Sequence, residues 1–107
     1  MEGGEFGWIS LLQVRADFAR KTAAHARTPG IAKEFEDLAA LYQEMMEHAG
    51  SGDAAEAKGE LLRYLHSRAA HFLREARDIT GKAGDDLKYL AAAFGAEASR
   101  VQNHLVR

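Results

Sequence analysis

Apolar side chains recur every three or four residues along most of this chain, and this spacing constrains the fold more than any other feature. Residues at that interval lie on one face of an α-helix, so each such segment predicts an amphipathic helix. Alanine is abundant, whereas proline occurs only once, at Pro29. Because alanine is the strongest helix former and breakers are few, we expect an all-α protein.

Turn signals divide the pattern into four predicted helices. The first begins near Ile9 and ends before Thr28, which is the expected N-cap of a second helix with Pro29 in its first turn. Gly50 is placed to close the second helix in a left-handed C-terminal cap.

The third predicted helix follows Asp53, which with Glu56 fits an acidic variant of the capping box, and runs over residues 54–80. The fourth opens near Asp85 and continues almost to the C-terminus. Short connections favour antiparallel neighbours, so the simplest assembly is an up-down-up-down four-helix bundle. No linker divides residues 1–107, which predicts a single domain, with glycine-rich residues 1–8 as a loose N-terminal segment.

Composition excludes several classes of protein. The chain has no cysteine, so disulfides, thiolate metal sites and cysteine nucleophiles are absent. Its 14 basic and 16 acidic residues give a net charge of −2, which lacks the basic footprint of a nucleic-acid-binding domain. No apolar run reaches the roughly 20 residues that span a bilayer, and the N-terminus does not resemble a signal peptide. A cytoplasmic location is therefore predicted.

One segment of the third helix carries a histidine with a recognisable context. Ala70, His71 and Leu73, with Arg74 in place of lysine, follow most of a pattern of roughly A-H-x-L-K-G, and Gly81 matches a further glycine near the end of the same helix. This segment resembles the phosphoacceptor segment of histidine phosphotransfer domains, which are small helical bundles. The resemblance implies that His71 accepts a phosphoryl group from a response-regulator aspartate and that Arg74 helps to neutralise it.

The same segment supports a plainer interpretation. Glu75 stands where the family has glycine, and helical phase places His71 away from the apolar face. An exposed His71 paired with Glu75 one turn later is the alternative to a phosphoacceptor.

Metal sites find little support in the sequence. Ferritin-type di-iron bundles need Glu-x-x-His motifs, which this chain lacks, and a hemerythrin-like ligand set stops at His71 and Glu75. His48 and His104 could approach each other at one end of the predicted bundle, which makes them weak zinc candidates or simply two surface histidines. No metal or other cofactor is predicted.

A charged residue interrupts the apolar stripe of the first helix. Arg15 lies among apolar positions that include Trp8 and Phe18. Three interpretations stay open: its aliphatic stem covers the core while the charge reaches water, it pairs with a carboxylate, or it anchors a partner chain. Arg15, Trp8 and Phe18 are accordingly the candidate interaction residues.

The pattern of strong helices without convergent catalytic groups favours a non-enzymatic interaction or assembly module. It would bind a protein partner or itself as a homo-oligomer, without nucleic acid or membrane. The alternatives are phosphotransfer through His71 and a metal- or cofactor-binding bundle. Residues 13–49 are also similar to hairpins of short bacterial proteins, from which no function transfers. That likeness is carried by Arg15, Ala19, Ala23, Thr28, Pro29, Phe35, Leu38, Ala39 and Tyr42.

Overall fold

The structure, a computed structural model, describes residues 4–49 and 52–104. Its helices are α1 (Gly4–Ala24), α2 (Pro29–Glu47), α3 (Ala54–Asp78) and α4 (Gly81–Gln102). These described residues contain no β-strand, so the predicted all-α class with four helices is confirmed.

The helices fall into two compact units, each built around a helical hairpin. The first contains α1 and α2, and the second contains α3 from Lys58 onward together with α4. Only residues 25–28 connect α1 to α2, and the two helices pack along each other, so they run antiparallel. The single domain predicted for the whole chain stays a prediction.

Two contacts fix the direction of α4 relative to α3. Lys58 Nζ near the start of α3 donates a hydrogen bond to the carbonyl of His104, just beyond the end of α4. Later in α3 and earlier in α4, the rings of Phe72 and Phe94 meet edge to face with centroids 5.4 Å apart. Phe72 follows Lys58 along α3, whereas its partner Phe94 precedes His104 along the chain. The two helices therefore run antiparallel.

The N-terminal part of α1 corrects the sequence prediction. The helix begins at Gly4 rather than near Ile9, so residues 4–8 are helical and do not belong to a loose segment. Trp8 is only 1% exposed, and burial of this large side chain favours continuing the helix through a glycine-rich stretch. Residues 1–3 of the predicted loose segment lie outside the described residues.

The start of α2 confirms the predicted cap. Thr28 has extended backbone angles, its Oγ1 accepts a hydrogen bond from the backbone N–H of Ile31 at 3.2 Å, and Pro29 follows as the first helical residue. At the other end, α2 stops at Glu47, and the backbone N–H of His48 donates to the carbonyl of Glu44. The predicted cap residue Gly50 lies outside the described residues.

The contribution of this cap can be measured against a matched threonine. We expect Thr28→Ala to lower the free energy of unfolding by about 1 kcal/mol, because the orphan N–H of Ile31 loses its acceptor. Thr80 precedes α4 with similar extended backbone angles but makes no side-chain cap hydrogen bond. Thr80→Ala should therefore cost less than about 0.5 kcal/mol in urea denaturation. Equal losses at the two positions would contradict this role for Thr28.

The connection between α3 and α4 is tighter than the sequence predicts. Asp53 does cap α3, since its carboxylate accepts a hydrogen bond from the backbone N–H of Ala55 at 2.9 Å. However, α3 ends at Asp78 and α4 already begins at Gly81, whereas Asp85 was the predicted start. Gly81 adopts a φ of +79°, a left-handed conformation that glycine reaches without steric cost. The glycines of this segment thus permit a sharp reversal instead of lengthening the loop.

The buried faces of α2, α3 and α4 follow the predicted stripes for the most part. Among the buried residues are Ile31, Phe35, Leu38, Tyr42, Leu61, Leu65, Phe72, Leu90, Phe94, Ala98 and Val101. Phe18, predicted on the apolar stripe of the first helix, is exposed instead, and so are Leu73 and Ile79. His66 is exposed as well.

Candidate functional site

The buried face of α1 contains a charge. Arg15 is only 9% exposed and shares this face with Leu12 and Ala16. Its guanidinium carbon lies 4.3 Å from the centroid of the Phe18 ring, which is the geometry of a cation–π contact. Arg15 is therefore largely buried, and its guanidinium lies against an aromatic ring.

The three predicted interaction residues are placed very differently. Trp8 belongs to the buried face of α1, so the folded chain does not present it to a partner. Phe18 is 42% exposed, and Val14, one helical turn earlier, is 58% exposed. We call Val14 and Phe18 the α1 apolar patch. The guanidinium of the buried Arg15 contacts the ring of Phe18.

A groove runs between α1 and α2 on another side of the first unit. It encloses about 430 Å³ and is lined by Ala23, Ala24, Ala39 and Ala40, with Arg20, Glu36 and Gln43 completing its walls. We call it the α1–α2 groove. Because alanine is small, the two walls leave room that larger side chains would fill.

Arg20 bridges the two walls of this groove. Its Nη2 donates a hydrogen bond to Gln43 Oε1 at 2.7 Å, and its Nη1 donates to Asp17 Oδ1 at 2.8 Å. Gln43 Nε2 in turn lies 3.4 Å from Glu47 Oε2. These contacts hold the Arg20 side chain across the groove, although Arg20 and Asp17 are both about half exposed.

The two helices of the first unit carry opposite charge. α1 includes three basic and two acidic side chains, a net charge of +1, whereas α2 includes one basic and five acidic side chains, a net charge of −4. The single lysine of α2, Lys33, donates a hydrogen bond to Asp37 at 3.1 Å. This hydrogen bond and the negative charge of Asp37 raise the pKa of Lys33. The remaining carboxylates of α2 leave that helix strongly acidic.

His71 is placed as the plainer interpretation predicts. Its side chain is 40% exposed, and Nε2 lies 3.7 Å from Glu75 Oε2. The ring also meets Phe72 edge to face, with centroids 5.6 Å apart. A carboxylate this close to Nε2 repels the oxygens of an incoming phosphoryl group, so the surroundings of His71 do not favour phosphotransfer.

The weak metal candidates do not gain ligands from the structure. His48 is an exposed cap residue in the first unit, and His104 is half-buried in the second. Within residues 4–49 and 52–104, no group of three or more His, Asp or Glu side chains is arranged to hold a metal ion.

One buried charge was missed by the sequence analysis. Glu97 is 1% exposed within α4, and its Oε2 lies 3.5 Å from Arg100 Nη1. Its position gives a clear signal, because Glu97 falls at helical spacing among the apolar residues Leu90, Phe94 and Val101. A carboxylate on an apolar stripe indicates a buried charge just as an arginine does there. Burying either charge is costly unless it is compensated.

No protein-family model matches this chain, and neither a curated protein nor a solved structure matches it. The similarity of residues 67–81 to a phosphoacceptor segment and that of residues 13–49 to bacterial hairpins therefore stand on those residues alone.

No helix in the described part of the chain is sufficiently long and apolar to span a lipid bilayer.

Proposed function

We propose that this protein is a non-enzymatic helical module that acts through protein–protein contact and associates with itself in the cytoplasm. The α1 apolar patch is the observation that carries the proposal. Val14 and Phe18 lie one turn apart on the same side of α1 and keep about half of their surface in water. A second chain that covers them removes apolar surface from water, which is the main driving force of association.

The contact between Arg15 and Phe18 supports the same proposal. The guanidinium of Arg15 lies against the Phe18 ring and limits the orientations that this ring can adopt. An aromatic side chain that is already ordered loses less conformational entropy when a partner covers it. Aromatic and arginine side chains also dominate the binding energy of many interfaces.

Sedimentation velocity over a range of concentrations tests this proposal. The wild type should associate as its concentration rises. Combining Val14→Ser with Phe18→Ser should raise the dissociation constant by about tenfold or more, because two exposed apolar groups are lost. Circular dichroism should show that the double variant keeps its helices, since both residues are exposed.

Leu73→Ser provides the matched control, because Leu73 is an apolar residue of α3 that is 53% exposed. We expect this change to leave the association constant within about twofold of the wild type. A wild type that stays monomeric at every concentration contradicts the proposal. So does a loss of association in Leu73→Ser that matches the loss in the patch variant.

A further inference from the structure

We draw no further inference here: the strongest candidate, the α1–α2 groove lined by Ala23, Ala24, Ala39 and Ala40, is already spanned by the Arg20 side chain, and nothing in the described part of the chain shows what else would cover it.

Discussion

Replacing Gly84 with alanine is expected to lower the free energy of unfolding by about 2 kcal/mol or more. Gly84 is buried in the first turn of α4, and a Cβ atom built there would lie 2.2 Å from the carbonyl oxygen of Ile79. This neighbour is backbone, so it cannot rotate away as the end of a flexible side chain could. Urea denaturation followed by circular dichroism measures the loss as a lower transition midpoint.

Gly95 provides the control within the same helix. A Cβ atom at Gly95 meets nothing within 4 Å, so alanine gains helix propensity there without a clash. Gly95→Ala should raise the free energy of unfolding by about 0.5–1 kcal/mol. If Gly84→Ala were equally stabilising, the close approach of Gly84 to Ile79 would be disproved.

Removing the Trp8 side chain is expected to have the largest effect in the first unit. Trp8→Ala should lower the free energy of unfolding by about 3–5 kcal/mol, because a fully buried indole is replaced by a cavity. A domain of this size has a total stability of roughly 5–15 kcal/mol, so the variant would be close to unfolding. Trp8 is the only tryptophan, and the transition must therefore be followed by circular dichroism.

Two further variants make the Trp8 result decisive. Trp8→Phe keeps most of the buried area and should lose only about 1–2 kcal/mol. Leu73→Ala removes an exposed side chain and should change stability by no more than about 0.5 kcal/mol. If Trp8→Ala were as mild as Leu73→Ala, residues 4–8 would not contribute to the folded unit.

Helical spacing was sufficient to predict the class, the number of helices and most buried positions of α2, α3 and α4. In α1 it misplaced Phe18, because apolar residues surround most of that helix. Arg15 is buried on the stripe where the sequence places it, whereas Phe18, expected on the same stripe, is exposed. Periodicity alone cannot choose between two adjacent apolar faces, since the choice depends on which side chains fit the space that is available.

The ends of helices were harder to predict than their existence. Thr28 and Asp53 were found because a side-chain acceptor in the right place is a local signal. The starts at Gly4 and Gly81 were missed because glycine was interpreted as a breaker. Glycine is compatible with the helix start in both places. At the start of α1, burial of Trp8 outweighs the low helix propensity of glycine. At the start of α4, the left-handed conformation of Gly81 permits the sharp reversal that places the helix there.

At the candidate site, a contact within one helix was predictable from the sequence, whereas a contact between two helices was not. The pairing of His71 with Glu75 is an i,i+4 contact, and the sequence predicts it directly. The groove and its Arg20–Gln43 bridge join positions 23 residues apart. Such a contact depends on how two helices pack, which no single helical segment encodes.

The short connections within the two hairpins have a consequence for the folding rate. Residues 25–28 close one hairpin and residues 79–80 close the other, so the helices that must meet inside each unit are neighbours along the chain. Closing a short loop restricts the unfolded chain less than joining distant segments, and proteins rich in such local contacts reach their native state in microseconds to milliseconds. Gly81 and Gly84 help to make the second reversal possible. Only a short loop must therefore close before α3 contacts α4.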